Sequence, residues 1–260
     1  MYSLLLVNWG YYMFDDWRAA QYTLSESDSL LKWMNAYTTS IDELAWFGML
    51  FLFEAETYWL SDEALSHLKR LMFVTLRIVC YAFLAHTLFA YVTSYYELAN
   101  SVGLSSNSTV CDFTGQNYSF LRNLAYTVID ANNCGALAIG PNLFQVGTDL
   151  VVTDTAGLAE ATALAVIDVV DAITWLAVVL TIELVVIMQE KGISDGPFIT
   201  SCNYLTIALY AVLVFDAGFW AWKGHYVYTW DQLLWIGGFA AIEMNLSEWR
   251  DEIDEAAASA

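Results

Sequence analysis

Asp168 and Asp171 stand three residues apart in ATALAVIDVVDAITWLAVVL (161–180), a stretch otherwise almost free of charge. At helical spacing the two share a face within one turn. Carboxylates that close repel, and a proton or a cation between them relieves the repulsion. That chemistry builds a proton or cation site. Other ionisable residues sit in comparable surroundings: Asp216, His86, Glu183, Glu54 and Arg77. Each costs about 2.5–3.5 kcal/mol on insertion scales if it lies in lipid, so each needs a partner or a wet path. In order of expected depth they form an acid-dominated column of Asp216 and Asp168/Asp171, then His86, then Glu183, Glu54 and Arg77. Chains of Asp, Glu and His of this kind serve as proton relays, and rings of acids select cations.

Each residue also has a plainer use. Glu43, Glu56 and Glu243 fall close enough to the ends of apolar runs to be solvated. Arg77 can neutralise Glu54 or Glu183 as a structural ion pair, and His86 can hydrogen-bond a neighbouring helix. The Asp168/Asp171 pair is the hardest to explain structurally, because two acids on one aliphatic face have no inexpensive packing role.

The elements that carry these residues follow from composition. The chain has 260 residues, of which 58% are hydrophobic and 15% charged, with a mean hydropathy of +0.47. Soluble domains average about 25% charged. The 29 acidic and 9 basic residues give a net charge of −20, which excludes nucleic acid as a partner, since phosphate neutralisation needs Lys/Arg clusters. The expected class is an all-α integral membrane protein. About 20 apolar residues cross the hydrocarbon core, and five segments qualify: Ile41–Leu60, Leu71–Leu98, Ala161–Gln189, Pro197–Trp222 and the short Trp230–Leu246. Trp and Tyr residues cluster at their predicted boundaries, among them Tyr58, Trp59, Tyr95, Tyr96, Trp220, Trp222 and Trp230, as an interfacial belt requires.

Residues 1–40 are expected to form an interfacial amphipathic segment, with Leu4, Leu5, Trp9, Tyr12 and Met13 opposing Asp15, Asp16 and Arg18; a helix packed across the bundle is the alternative. The segment lacks the basic start and small-residue cleavage site of a signal peptide. Residues 41–98 carry the first two spans, 99–160 a small extracytoplasmic cap, 161–246 the last three spans, and 247–260 an acidic cytoplasmic tail. Within the cap, FLRNLAYTVIDANN shows helical spacing of Phe120, Leu121, Leu124 and Val128, and the segment after it holds short β-prone runs broken by glycine. Cys111 and Cys134 suit a disulfide in an oxidising compartment, whereas Cys80 and Cys202 fall inside spans. Lys69, Arg70, Lys191 and Arg250 on one side, against Lys32, Arg122 and Lys223 on the other, place the N-terminus outside and the C-terminus in the cytoplasm. The acidic, proline-poor composition points to a bacterial inner membrane, which leaves the Asn107 and Asn117 sequons without use.

Nucleotide-binding, HExxH and CxxC motifs are absent, and His67, His86 and His225 are scattered. No cofactor, metal or enzymatic activity is therefore expected. FQVGTD (144–149) is too poor in glycine for a carbonyl-lined filter. The expected function is translocation of protons or small cations by a channel-like oligomer in the lipid bilayer. The alternative is an accessory subunit whose buried acids pair with a basic membrane-protein partner.

Overall fold

The computed structural model describes residues 2–55, 67–191, 193 and 195–241. Helices α1 (Tyr2–Thr23), α2 (Leu30–Ala36), α3 (Thr38–Glu54) and α4 (His67–Ala99) come first. A small β region follows, with β1 (Val102–Gly103), β2 (Ser119–Arg122), β3 (Ala125–Val128), the short α5 (Cys134–Leu137), β4 (Leu143–Gln145) and β5 (Val151–Asp154). Helices α6 (Thr155–Glu190) and α7 (Pro197–Trp222) complete the named elements, and residues 226–241 are helical and form α8.

Three helices are long and apolar enough to cross a membrane: Leu71–Ala99 in α4, Thr155–Gln189 in α6 and Pro197–Trp222, the whole of α7. Their outward residues are apolar, with Ile78 at 62%, Ile207 at 66% and Phe215 at 65% exposed. Surfaces of this kind are a liability in water and natural in lipid, so the chain fits a membrane protein. The other two expected spans are not supported at this length. Helix α3 has 17 residues, and the rest of the expected first span, with Glu56, Tyr58 and Trp59, lies outside the described residues. Helix α8 begins four residues before the expected fifth span, and Glu243 and Leu246 lie outside the described residues.

The chain divides into two compact units, Trp9–Val169 and Met1–Asn8 with Val170–Ala260. In the first, α3 packs along α4. Arg77 of α4 lies 5.4 Å from the ring centre of Phe53 of α3, a cation–π contact. Helix α1 meets the start of α3 at Ser40: Asp16 accepts both the Ser40 backbone N–H and its hydroxyl, and the Trp9 indole donates to the Ser40 carbonyl. Ser40 lies in the first turn of α3, so the Asp16 carboxylate serves the orphan amides and positive dipole end of that helix. Asp16 faces inward, while Leu4, Met13 and Phe14 are exposed.

The same unit holds a five-stranded sheet of order β1-β4-β5-β2-β3, in which β2 and β5 are parallel and the other pairs antiparallel. The sheet lies in the region where β-prone runs were expected within a mostly helical chain, and it corrects the helical spacing read at 120–128. Those residues form a hairpin, turning at Asn123 (φ 48°) and Leu124 (φ 61°), the positive angles a two-residue hairpin turn needs. Alternation along the strands separates two cores. Phe120 and Val152 join Val110, Ile129, Cys134 and Leu143 in one cluster. Leu121 and Val151 join Leu98 of α4 and Ala161 and Ala165 of α6 in the other. The expected disulfide links Cys111 to Cys134, and Cys80 and Cys202 are free and buried.

Strand β5 runs directly into α6 through Asp154, which is fully buried. Its carboxylate accepts from Arg122, from the Ile139 amide and, as an N-terminal cap, from the Gly157 amide. Gly157 has to be glycine here, since a Cβ would stand 2.2 Å from the Thr153 hydroxyl.

Candidate functional site

In the unit of residues 1–8 and 170–241, short connections set the level of each polar side chain. Six residues join α6 to α7, and Val185 near the end of α6 packs with Ile199 and Cys202 near the start of α7. Asp171 lies 19 residues before Glu190 and Asp216 lies 19 residues after Pro197. At about 1.5 Å per residue the two stand at one level of an antiparallel pair. Helix α7 then turns into α8 over three residues, with Gly224 at φ 85° taking the left-handed conformation that makes the turn tight. The turn is fixed by Trp220 stacked on Tyr228 at 5.0 Å and by the Thr229 hydroxyl donating to the Ala217 carbonyl. Asp231, five residues into α8, is thereby brought level with Asp216.

By helical rise, three aspartates on three consecutive helices fall at about one level, and their environments differ. Asp231 is buried and accepts from the Asn8 side-chain amide at 2.7 Å. Asp171 is half-buried and accepts from the Gln232 amide nitrogen, while the Gln232 oxygen accepts from the Trp175 indole at 3.3 Å. Successive residues of α8 therefore tie α1 on one side and α6 on the other. Asp216 is 0% exposed, and neither of its carboxyl oxygens has a hydrogen-bond partner among the described residues. Its neighbour Phe215 points outward. A buried polar group without a partner costs free energy, and a buried lone carboxylate costs far more, so this position calls for an occupant that removes the charge.

The remaining sequence-predicted residues are placed as follows. Glu183 is half-buried on α6 of the same unit. Asp168 is half-buried on α6 and belongs to the other unit, as do Glu54, Arg77 and His86. The His86 ring lies 6.3 Å from Phe89, and its Nε2 is buried without a partner among the described residues. Glu43, expected at a solvated end, is 5% exposed. Among the described residues no group of three His, Cys, Asp or Glu side chains could hold a metal ion.

Sequence reasoning did not select Asn8, Gln232 or Asp231 for this layer. The signal was available in the spacing: with a three-residue turn after Trp222, Asp216 and Asp231 stand at nearly the same distance from the turn. No protein-family model, no curated protein and no solved structure matches this chain.

Proposed function

We propose that this chain is a channel-like integral membrane protein that moves protons or small cations across the bilayer, working as a homo-oligomer. The observation that carries the proposal is Asp216, a sealed and unpartnered carboxyl in a helix of membrane-crossing length. It stands in one layer with Asp171 and Asp231. Intramembrane acids mark ion and proton pathways, and three long apolar helices, or the five spans expected from the sequence, are too few for the usual two-repeat carrier monomer. In this reading the β region is an extracytoplasmic cap, the N-terminus lies outside and the C-terminus faces the cytoplasm of a bacterial inner membrane. His86, Glu54, Glu183, Arg77 and Asp168 are further stations of the pathway.

A second reading, a non-transporting subunit of a larger membrane complex, draws on the exposed apolar flanks of α4 and α7, which suit partner helices as well as lipid. Its postulated pairing of buried acids with a partner's basic residues would require Asp216, 0% exposed in the single chain, to be uncovered in the complex. Reconstitution into liposomes separates the two. Proton or potassium flux under a pH or voltage gradient is expected from the purified chain; silence under both gradients removes the translocation proposal and leaves the subunit.

A further inference from the structure

We infer that Asp216 is a proton-binding carboxyl and that the ion served by this layer is the proton rather than an alkali or divalent cation. The inference rests on the translocation reading above and narrows it. Cations are held by several convergent oxygens: six to eight for calcium, and rings of backbone carbonyls for potassium. Around Asp216 that supply is missing among the described residues. No three acids converge there. The acids at the same level, Asp171 and Asp231, each receive a side-chain amide N–H, from Gln232 and Asn8. Each N–H takes one of the roughly four acceptor directions of its carboxylate and points positive charge toward the place a cation would occupy. The Ala217 carbonyl next to Asp216 already accepts the Thr229 hydroxyl, and the other buried residues of α7 within about one turn of Asp216 are Leu213, Ala217 and Trp220, which offer no side-chain oxygen. A proton needs none of this coordination. It bonds covalently to one oxygen, removes the charge, and leaves a neutral acid whose burial costs much less. Lys223 and His225, at the α7–α8 turn, are the cationic candidates nearest along the chain.

Dicyclohexylcarbodiimide, an apolar reagent that enters lipid, tests the assignment without requiring transport. A protonated carboxyl adds across its C=N bond, the acid proton passing to nitrogen and the carboxyl oxygen bonding to carbon. The O-acylisourea so formed rearranges to a stable N-acylurea, with nothing oxidised and no group lost. Peptide mapping of the wild-type chain in liposomes is expected to find the adduct at Asp216, undiminished by saturating sodium, potassium or calcium. Asp216→Glu should keep a label at that position, and Asp216→Asn should lose it. Absence of the adduct from wild-type Asp216, or protection by any of the three cations, overturns the inference. Cation-insensitive labelling in vesicles that carry no flux would uphold the proton site and remove the translocation reading. Flux accompanied by sodium protection would do the reverse.

Discussion

Asp154, at the junction of β5 and α6, and Asp216, within α7, are both sealed from solvent. Around Asp154 the fold has gathered the Arg122 guanidinium at 2.6 Å and two backbone amides. Although burial alone raises its carboxyl, the Gly157 and Ile139 amides and then Arg122 hold it below the usual range. Around Asp216 there is no such gathering among the described residues. The same residue type at the same burial therefore stands in two environments, to which the proposed function gives two jobs. A carboxylate that closes a strand–helix junction is surrounded by donors, because a buried acceptor left unmade costs about 1–3 kcal/mol. One that receives and releases a proton has to be left without them, because a full set of donors would fix it in the ionised form.

The contrast breaks most visibly if the two acids respond alike to removal. Asp154→Ala strips Arg122 and two amides of their acceptor and should cost about 3 kcal/mol or more, seen as loss of the cooperative melting of the β region in detergent. Close behind, the Cys111→Ser/Cys134→Ser variant should lose about 3 kcal/mol in the chain-entropy picture, with a separation of 23 residues, and should become sensitive to protease between β1 and β4. Both effects should be confined to the β region, leaving α7 and α8 protected from hydrogen exchange.

Acid sharpens the comparison further. Burial pushes the Asp16 carboxyl up to about 6 against the pull of its Ser40 hydrogen bonds, with Asp15 adding to the rise. A folded-state value above the unfolded one means that the folded chain binds the proton more tightly, so this group favours folding increasingly as pH falls from about 6 toward the unfolded value near 4. Asp154 has the opposite sign. Its lowered folded value gives stability that is present above about 4 and is lost as pH falls through the still lower folded value. Melting followed from pH 7 to pH 3 should therefore show a gain between 6 and 4 that Asp16→Asn abolishes, then a loss below 4 that belongs to the β region. The smallest expected change is in Asp216→Leu. Replacing an unpartnered buried carboxyl with an apolar side chain should leave the melting temperature unchanged or raise it slightly.

The three long apolar helices were legible because each holds an apolar window of membrane-crossing length with very few charges. Pro197 and Trp222 bound both the expected fourth span and α7. The hairpin at 119–128 was not legible. Phe120, Leu121, Leu124 and Val128 fit a helical face as well as a strand pair, and its turn uses Asn123 and Leu124 where a glycine would have marked it. In the site, Asp171 and Asp216 stood out as acids in aliphatic surroundings. Their contrasting environments did not, because the Gln232 amide that holds Asp171 comes from 61 residues away. Glu43 was misjudged for the same reason. Position along a span gives depth, while burial is set by what packs against that face.

Proton flux through Asp216→Asn measured beside Asp216→Glu, at equal protein in sealed liposomes, tests the central claim most directly. The account expects flux in the wild type, its retention at least in part with glutamate, and its loss with asparagine while melting of the β region is unchanged. Undiminished proton flux through Asp216→Asn would contradict it.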